Sequence, residues 1–280
     1  MRPILRALAL LFLATVSSAA AISDLSAQAL PVGEPEALAR LNASPRHGEW
    51  VTVDAGGGDM VRAWIVYPER SDPAPVVVVI QEIFGLTDWI RNVADQLAAD
   101  GFIAIAPDLL SGKGPGGGGS DTVDQQGATA LVRALDSAEV TRRLRATAAY
   151  ATALPAATDM VASIGFCWGG GQSFALAASW TDLDAAVVYY GTSPTDQALA
   201  GLRTPVLGLY GEDDERVNST IDAARNTIDV LGGRYEVEIY PGAGHGFLRQ
   251  GEGAAEEARP ENGLNYVCCK CILHMPMDVA

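Results

Sequence analysis

Positive charge is scarce in this chain. Its 280 residues hold 19 Lys and Arg against 34 Asp and Glu, and the resulting net charge of −15 repels nucleic-acid phosphates and anionic lipid surfaces alike. Nucleic acid is therefore not an expected partner. Cysteine is scarce too, and unevenly placed: Cys167 stands alone in the body of the chain, while Cys268, Cys269 and Cys271 crowd near its end. That spacing is no disulfide framework. Cys269-x-Cys271-x-x-His274 also departs from zinc-finger and zinc-ribbon spacing, so no metal is expected. The glycine-rich stretch at 111–120 follows no strand-to-helix turn and reads as a loop over a site, not as a dinucleotide-phosphate cradle. No cofactor is expected. With 49% hydrophobic and only 19% charged residues, the chain has enough apolar surface to build a full core.

Long apolar runs are nearly missing as well. The main one, Ala7 to Val16, is far shorter than the roughly 20 residues that span a bilayer. Arg2 and Arg6 precede it and small residues follow, which is the form of a secretory signal peptide over residues 1–29. Cleavage fits after Ala21, in Ala19-Ala20-Ala21, or after Ala29, in Ala27-Gln28-Ala29. We expect a secreted or periplasmic protein, monomeric and without a membrane anchor once cleaved.

From residue 49 onward, short apolar runs alternate with helical ones. Trp50 to Val53 and Val61 to Tyr67 read as a hairpin around Gly56-Gly57-Gly58-Asp59. Val76 to Ile80 is apolar at every position, as in a strand covered on both faces. Thr87 caps a helix with Ile90, Val93, Ala94, Leu97 and Ala98 on one stripe. Strands follow at 102–106, 160–164, 185–190, 206–210 and 235–240, and helices at 136–154, 169–179 and 219–231. Such alternation predicts an α/β domain over residues 45–259, with a mainly parallel central sheet and helices on both faces.

The chemistry gathers at the ends of these strands. In Gly165-Phe166-Cys167-Trp168-Gly169-Gly170 a strand ends, a nucleophile stands between glycines, and a helix starts. The helix dipole favours a thiolate at Cys167, and the Trp168 amide points at an oxygen bound above it. No G-x-S-x-G exists to compete. Of three histidines, His245 follows the last strand between two glycines, placing it as the base. Glu212-Asp213-Asp214-Glu215 follows the strand at 206–210, where an orienting carboxylate belongs; Asp214 is favoured and Asp213 comes second. Glu82 ends the central strand at 76–80, where a carboxylate would hold a nearby thiol protonated.

Gly165-x-Cys167-x-Gly169-Gly170, Gln81-Glu82-Ile83-Phe84-Gly85, Ala106-Pro107-Asp108-Leu109 and Ala243-Gly244-His245-Gly246-Phe247, in this order, resemble the dienelactone hydrolase family across roughly residues 76–249. The resemblance implies an α/β-hydrolase fold and a hydrolase of small esters or lactones acting through a thioester. It implies a triad of Cys167, Asp214 and His245, oxyanion amides at Ile83 and Trp168, and a glutamate beside the thiol at Glu82. It further implies that Arg249 binds a substrate carboxylate; the family's second arginine is replaced by Gly112, with Lys113 next to it as a looser substitute. A non-catalytic ligand-binding protein on the same fold is the alternative, and such a protein would ordinarily lack a triad member. The family closes with an amphipathic helix, whereas residues 260–280 lack that periodicity and read as an atypical tail, a change of reading frame or a cloning remnant, supplying no catalytic group.

Export is checked by N-terminal sequencing of protein recovered outside the cytoplasm. The mature chain should begin at Ile22 or Leu30; a chain that retains Met1 in that fraction would overturn the signal-peptide assignment.

Overall fold

A computed structural model describes residues 31–250; the expected signal peptide at 1–29 and the tail at 260–280, with its three cysteines and His274, lie outside the described residues. Eight strands form one sheet: β1 (Gly48–Asp54), β2 (Met60–Val66), β3 (Ala74–Ile80), β4 (Ile103–Pro107), β5 (Ala157–Phe166), β6 (Ala185–Tyr189), β7 (Val206–Gly211) and β8 (Tyr235–Tyr240), in the spatial order β1-β2-β4-β3-β5-β6-β7-β8. β2 runs antiparallel to both β1 and β4, and the remaining neighbours are parallel. The β1–β2 turn is possible because Gly56, Gly57 and Gly58 all take positive φ, which residues with a Cβ adopt only at a cost.

The uniformly apolar β3 is buried from both sides. Val76, Val78 and Ile80 point into one core, which also receives Val140 and Leu144 of α4 (Ser137–Thr152) and Phe174 and Leu176 of α5 (Trp168–Ser179). Val77 and Val79 point into the opposite core, built with Trp89, Ile90, Val93 and Leu97 of α2 (Asp88–Ala99). Period-two alternation thus sends successive valines into different cores, and the strand needs no polar face. Thr87 caps α2 as expected, its side chain accepting from the Ile90 amide.

Several elements differ from the sequence expectation. A helix α1 (Glu34–Ala43) precedes residue 45 and packs on α2, with Ala37 fully buried; its mixed surface conceals the few apolar contacts that hold it. A further helix, α3 (Gln125–Arg133), capped by Asp124, follows the glycine-rich stretch and covers a small apolar cluster of Leu110, Ala128 and Val132. The helix expected over 219–231 is α8 (Ile221–Val230), a separate short helix α7 (Glu215–Asn218) precedes it, and another, α6 (Asp196–Leu199), lies between β6 and β7. The glycine-rich stretch is tied down: Asp108 accepts from the Ser120 amide at 2.8 Å and from the Ser120 hydroxyl at 2.6 Å, and Ser120 Oγ accepts from the Leu86 amide at 2.9 Å. The Ala-Pro-Asp-Leu motif therefore anchors this loop to the turn after β3.

Where β5 passes into α5, the backbones nearly touch. A Cβ at Gly165 would lie 1.9 Å from the Gly169 carbonyl oxygen, and one at Gly169 would lie 2.3 Å from the Gln81 carbonyl oxygen. Gly165→Ala should therefore lose about 3 kcal/mol or more in urea unfolding, as overpacking against backbone cannot relax by a rotamer change. Gly56→Ala, with open space around it, should lose only about 1 kcal/mol for its φ. Equal losses would show that the close approach is not the constraint.

Candidate active site

Cys167 is the N-cap of α5, with φ 56° and ψ −118°, a strained conformation that lifts its side chain above the carboxyl edge of the sheet. His245 arrives on the loop after β8, and its Nε2 lies 3.1 Å from Cys167 Sγ. On the other side of the ring, Nδ1 meets Asp214 Oδ2 at 2.5 Å. Asp214 is buried and caps α7, accepting from the Val217 amide, so its carboxylate is fixed from both ends. Asp213 is exposed, and its backbone amide donates to the Ala243 carbonyl. With the carboxylate on Nδ1, the ring carries its proton there and Nε2 is left to accept.

The backbone amides of Ile83 and Trp168 face the Cys167 sulfur and favour its thiolate. Donors that meet at the sulfur also border the space where an oxygen bound to an attacked carbon would lie. Their side chains pack against the Leu110–Ala128–Val132 cluster, so α3 buttresses both residues.

Glu82 lies beneath the thiol with its side chain only 4% exposed. Burial pushes its carboxyl up to about 7, against the pull of Arg249 and with a further push from Glu34. Burial, and then the charge of Glu82, hold the Cys167 thiol above its ordinary range, although the two amides and Arg216 pull it down. Burial and the Glu82 charge both favour the neutral thiol over the thiolate.

Arg249, in the short helix α9 (Phe247–Gln250), also joins the cluster, but two carboxylates already hold it. Its Nε lies 3.0 Å from Glu82 Oε2 in an ion pair without an aligned hydrogen bond, and its Nη1 donates to Glu34 Oε2 at 2.6 Å. Arg249, expected to bind a substrate carboxylate, is thus ion-paired with both Glu82 and Glu34. Lys113 is not brought to the cluster at all: its ammonium pairs with Glu139 Oε1 at 2.7 Å, in a polar depression shared with Asp59, Arg142 and Arg143. Glu139, in the first turn of α4, is also bound by Arg143, and this fixed pair of charges draws the lysine away from the cysteine.

Sequence reasoning missed Glu34 and Tyr190. Tyr190, fully buried with φ 39°, sets its ring edge-on to His245 at a centroid distance of 5.1 Å and against Phe247 at 5.2 Å. Its signal was present in Tyr189-Tyr190-Gly191, which leaves the sheet between the cysteine and aspartate strands. Glu34 gave no local signal, being one acid among 34 Asp and Glu.

A mainly parallel sheet flanked by helices, with a nucleophile elbow at the end of β5, defines an α/β-hydrolase. The sequence profile of the dienelactone hydrolase family matches residues 61–268, and the chain belongs to that family. A protein of Escherichia coli provisionally assigned as a carboxymethylenebutenolidase is 32% identical over 218 residues, covering 74% of this chain and 80% of its own. One of Yersinia pestis, with the same provisional assignment, is 34% identical over 203 residues, covering 68% and 75%. Among solved structures, a provisionally assigned dienelactone hydrolase of Klebsiella pneumoniae superposes with a TM-score of 0.67 at 28% identity, over 77% of this chain and 95% of its own. A dienelactone hydrolase-like promiscuous phosphotriesterase from metagenomic libraries gives 0.64 at 28% identity, over 72% and 84%.

The Glu82–Cys167 relation is checked by alkylation of Cys167 with the uncharged reagent iodoacetamide across pH. Glu82 becomes charged near pH 7, so wild type and Glu82→Gln should react alike below that point. Above it the variant, freed of the like charge, should react faster, by roughly threefold or more near pH 8.5. Coincident profiles throughout would remove Glu82 from the control of the thiol.

Proposed function

We propose that the chain hydrolyses small esters or lactones through a cysteine acyl-enzyme, with Cys167 as nucleophile, His245 as base and then acid, and Asp214 as the group that orients His245. Cys167 Sγ lying 3.1 Å from His245 Nε2, under two converging amides, carries the reading. His245 takes the thiol proton as Sγ bonds to the carbonyl carbon, and the carbonyl π pair moves to the oxygen, held by the Ile83 and Trp168 amides. As that pair returns, the carbon–oxygen bond to the leaving group breaks and His245 protonates the departing oxygen. Water then gives a proton to His245 and attacks the thioester; the acid leaves and Cys167 regains its proton.

The names of the relatives support the substrate class, since they describe enzymes that open lactones. No step calls for a metal or an organic cofactor. We place the enzyme outside the cytoplasm, on the signal-peptide pattern at 1–29.

Turnover of p-nitrophenyl acetate tests the reading. Cys167→Ala should lower kcat by about 1,000-fold or more, and His245→Ala by a similar factor, because the two act as a unit. Full activity in Cys167→Ala would overturn the nucleophile assignment.

A further inference from the structure

The reaction above gives Glu34 no task, yet the fold holds it at the site. Glu34 is the first residue of α1, and its contact with Arg249 joins segments 215 residues apart. A carboxylate in a first helical turn is already favoured by the helix dipole, so the helix itself does not require this contact. The placement comes from packing. Ala37 is buried against the core under α2, and Gly33, just before Glu34, approaches Gln250 so closely that a Cβ there would lie 2.9 Å from the Gln250 carbonyl oxygen. The start of α1 is thus seated against the residues that follow His245, and Glu34 faces Arg249.

The guanidinium lies between two carboxylates with different surroundings. Glu82 approaches from inside with 4% of its side chain exposed, whereas Glu34 approaches from the solvent side with 39% exposed and Arg249 itself with 24%. An anion arriving from solvent finds the guanidinium already hydrogen-bonded to Glu34. To pair with Arg249 it must displace a hydrogen-bonded carboxylate or share the cation with it against like-charge repulsion.

We infer that Glu34 is a specificity residue, an internal carboxylate that occupies the outward face of Arg249 and turns the site away from substrates carrying a carboxylate near the scissile carbonyl and toward uncharged esters and lactones. This rests on the hydrolase reading and deepens it. Glu34 touches neither Cys167 nor His245 in the reaction; it acts through Arg249. Its effect belongs in the KM of anionic substrates.

The test uses the full chain and a matched pair of esters, p-nitrophenyl acetate and the anionic mono-p-nitrophenyl succinate. In wild type the anionic ester should show the higher KM. Glu34→Gln should raise the anionic-to-neutral ratio of kcat/KM by about tenfold, equivalent to about 1.4 kcal/mol, with the gain in KM. Glu36→Gln removes a charge from the exposed side of the same helix and should leave the ratio within about twofold. An unchanged ratio in Glu34→Gln, or an equal rise in Glu36→Gln, would overturn the inference. If neither ester is turned over, the hydrolase reading fails, and calorimetric titration with succinate decides the Glu34 claim separately. Tighter succinate binding in Cys167→Ala/Glu34→Gln than in Cys167→Ala supports it, and equal affinity refutes it.

Discussion

The close passage of β5 beneath the start of α5 governs the site. Two glycines, at 165 and 169, let the strand end and the helix begin within a space that has no room for a side-chain carbon, and Cys167 between them is left with φ 56°. Such a conformation costs of order 1–3 kcal/mol and persists only where the surroundings compel it. Here the compulsion is the packing of α5 on β5 and β6, whose residues fill the core on one side of the sheet. What the strain gives in return is a thiol raised above the sheet edge, with the Trp168 amide beneath it. The loops after β3, β7 and β8 need only converge on that point.

A second constraint is electrostatic. Glu82 is a buried carboxylate beside a partly buried thiol, and Arg249 and Glu34 extend the line of charge to the surface. Burial favours the neutral form of both Glu82 and Cys167, and the Glu82 charge opposes ionisation of the thiol. His245, beside the thiol, is held in place by Asp214 and the ring of Tyr190.

Legibility followed the range of the interactions. The apolar run of β3, the Thr87 cap and the glycine-flanked cysteine are local patterns, and the structure has each of them where the sequence puts it. Helix α1 carries little apolar periodicity, since one buried alanine and contacts with α2 hold it, so it escaped notice. The glycine-rich segment reads as a loose loop because its anchors, Asp108 and Leu86, lie outside it. Lys113 stood next to Gly112 in sequence, but nothing there revealed that Glu139, 26 residues on, would hold its ammonium.

The sequence by itself determined the alternation of strands and helices, the elbow, and the side chains available for chemistry, because periodicity, capping and the steric need for glycine act over a few residues. Tertiary structure decided which charges meet. It paired Lys113 with Glu139 and closed Arg249 between Glu82 and a carboxylate 215 residues away. Coulomb and desolvation energies depend on distances and burial that exist only once the chain has folded, and a sequence of 34 acidic residues does not indicate which of them will stand beside the arginine.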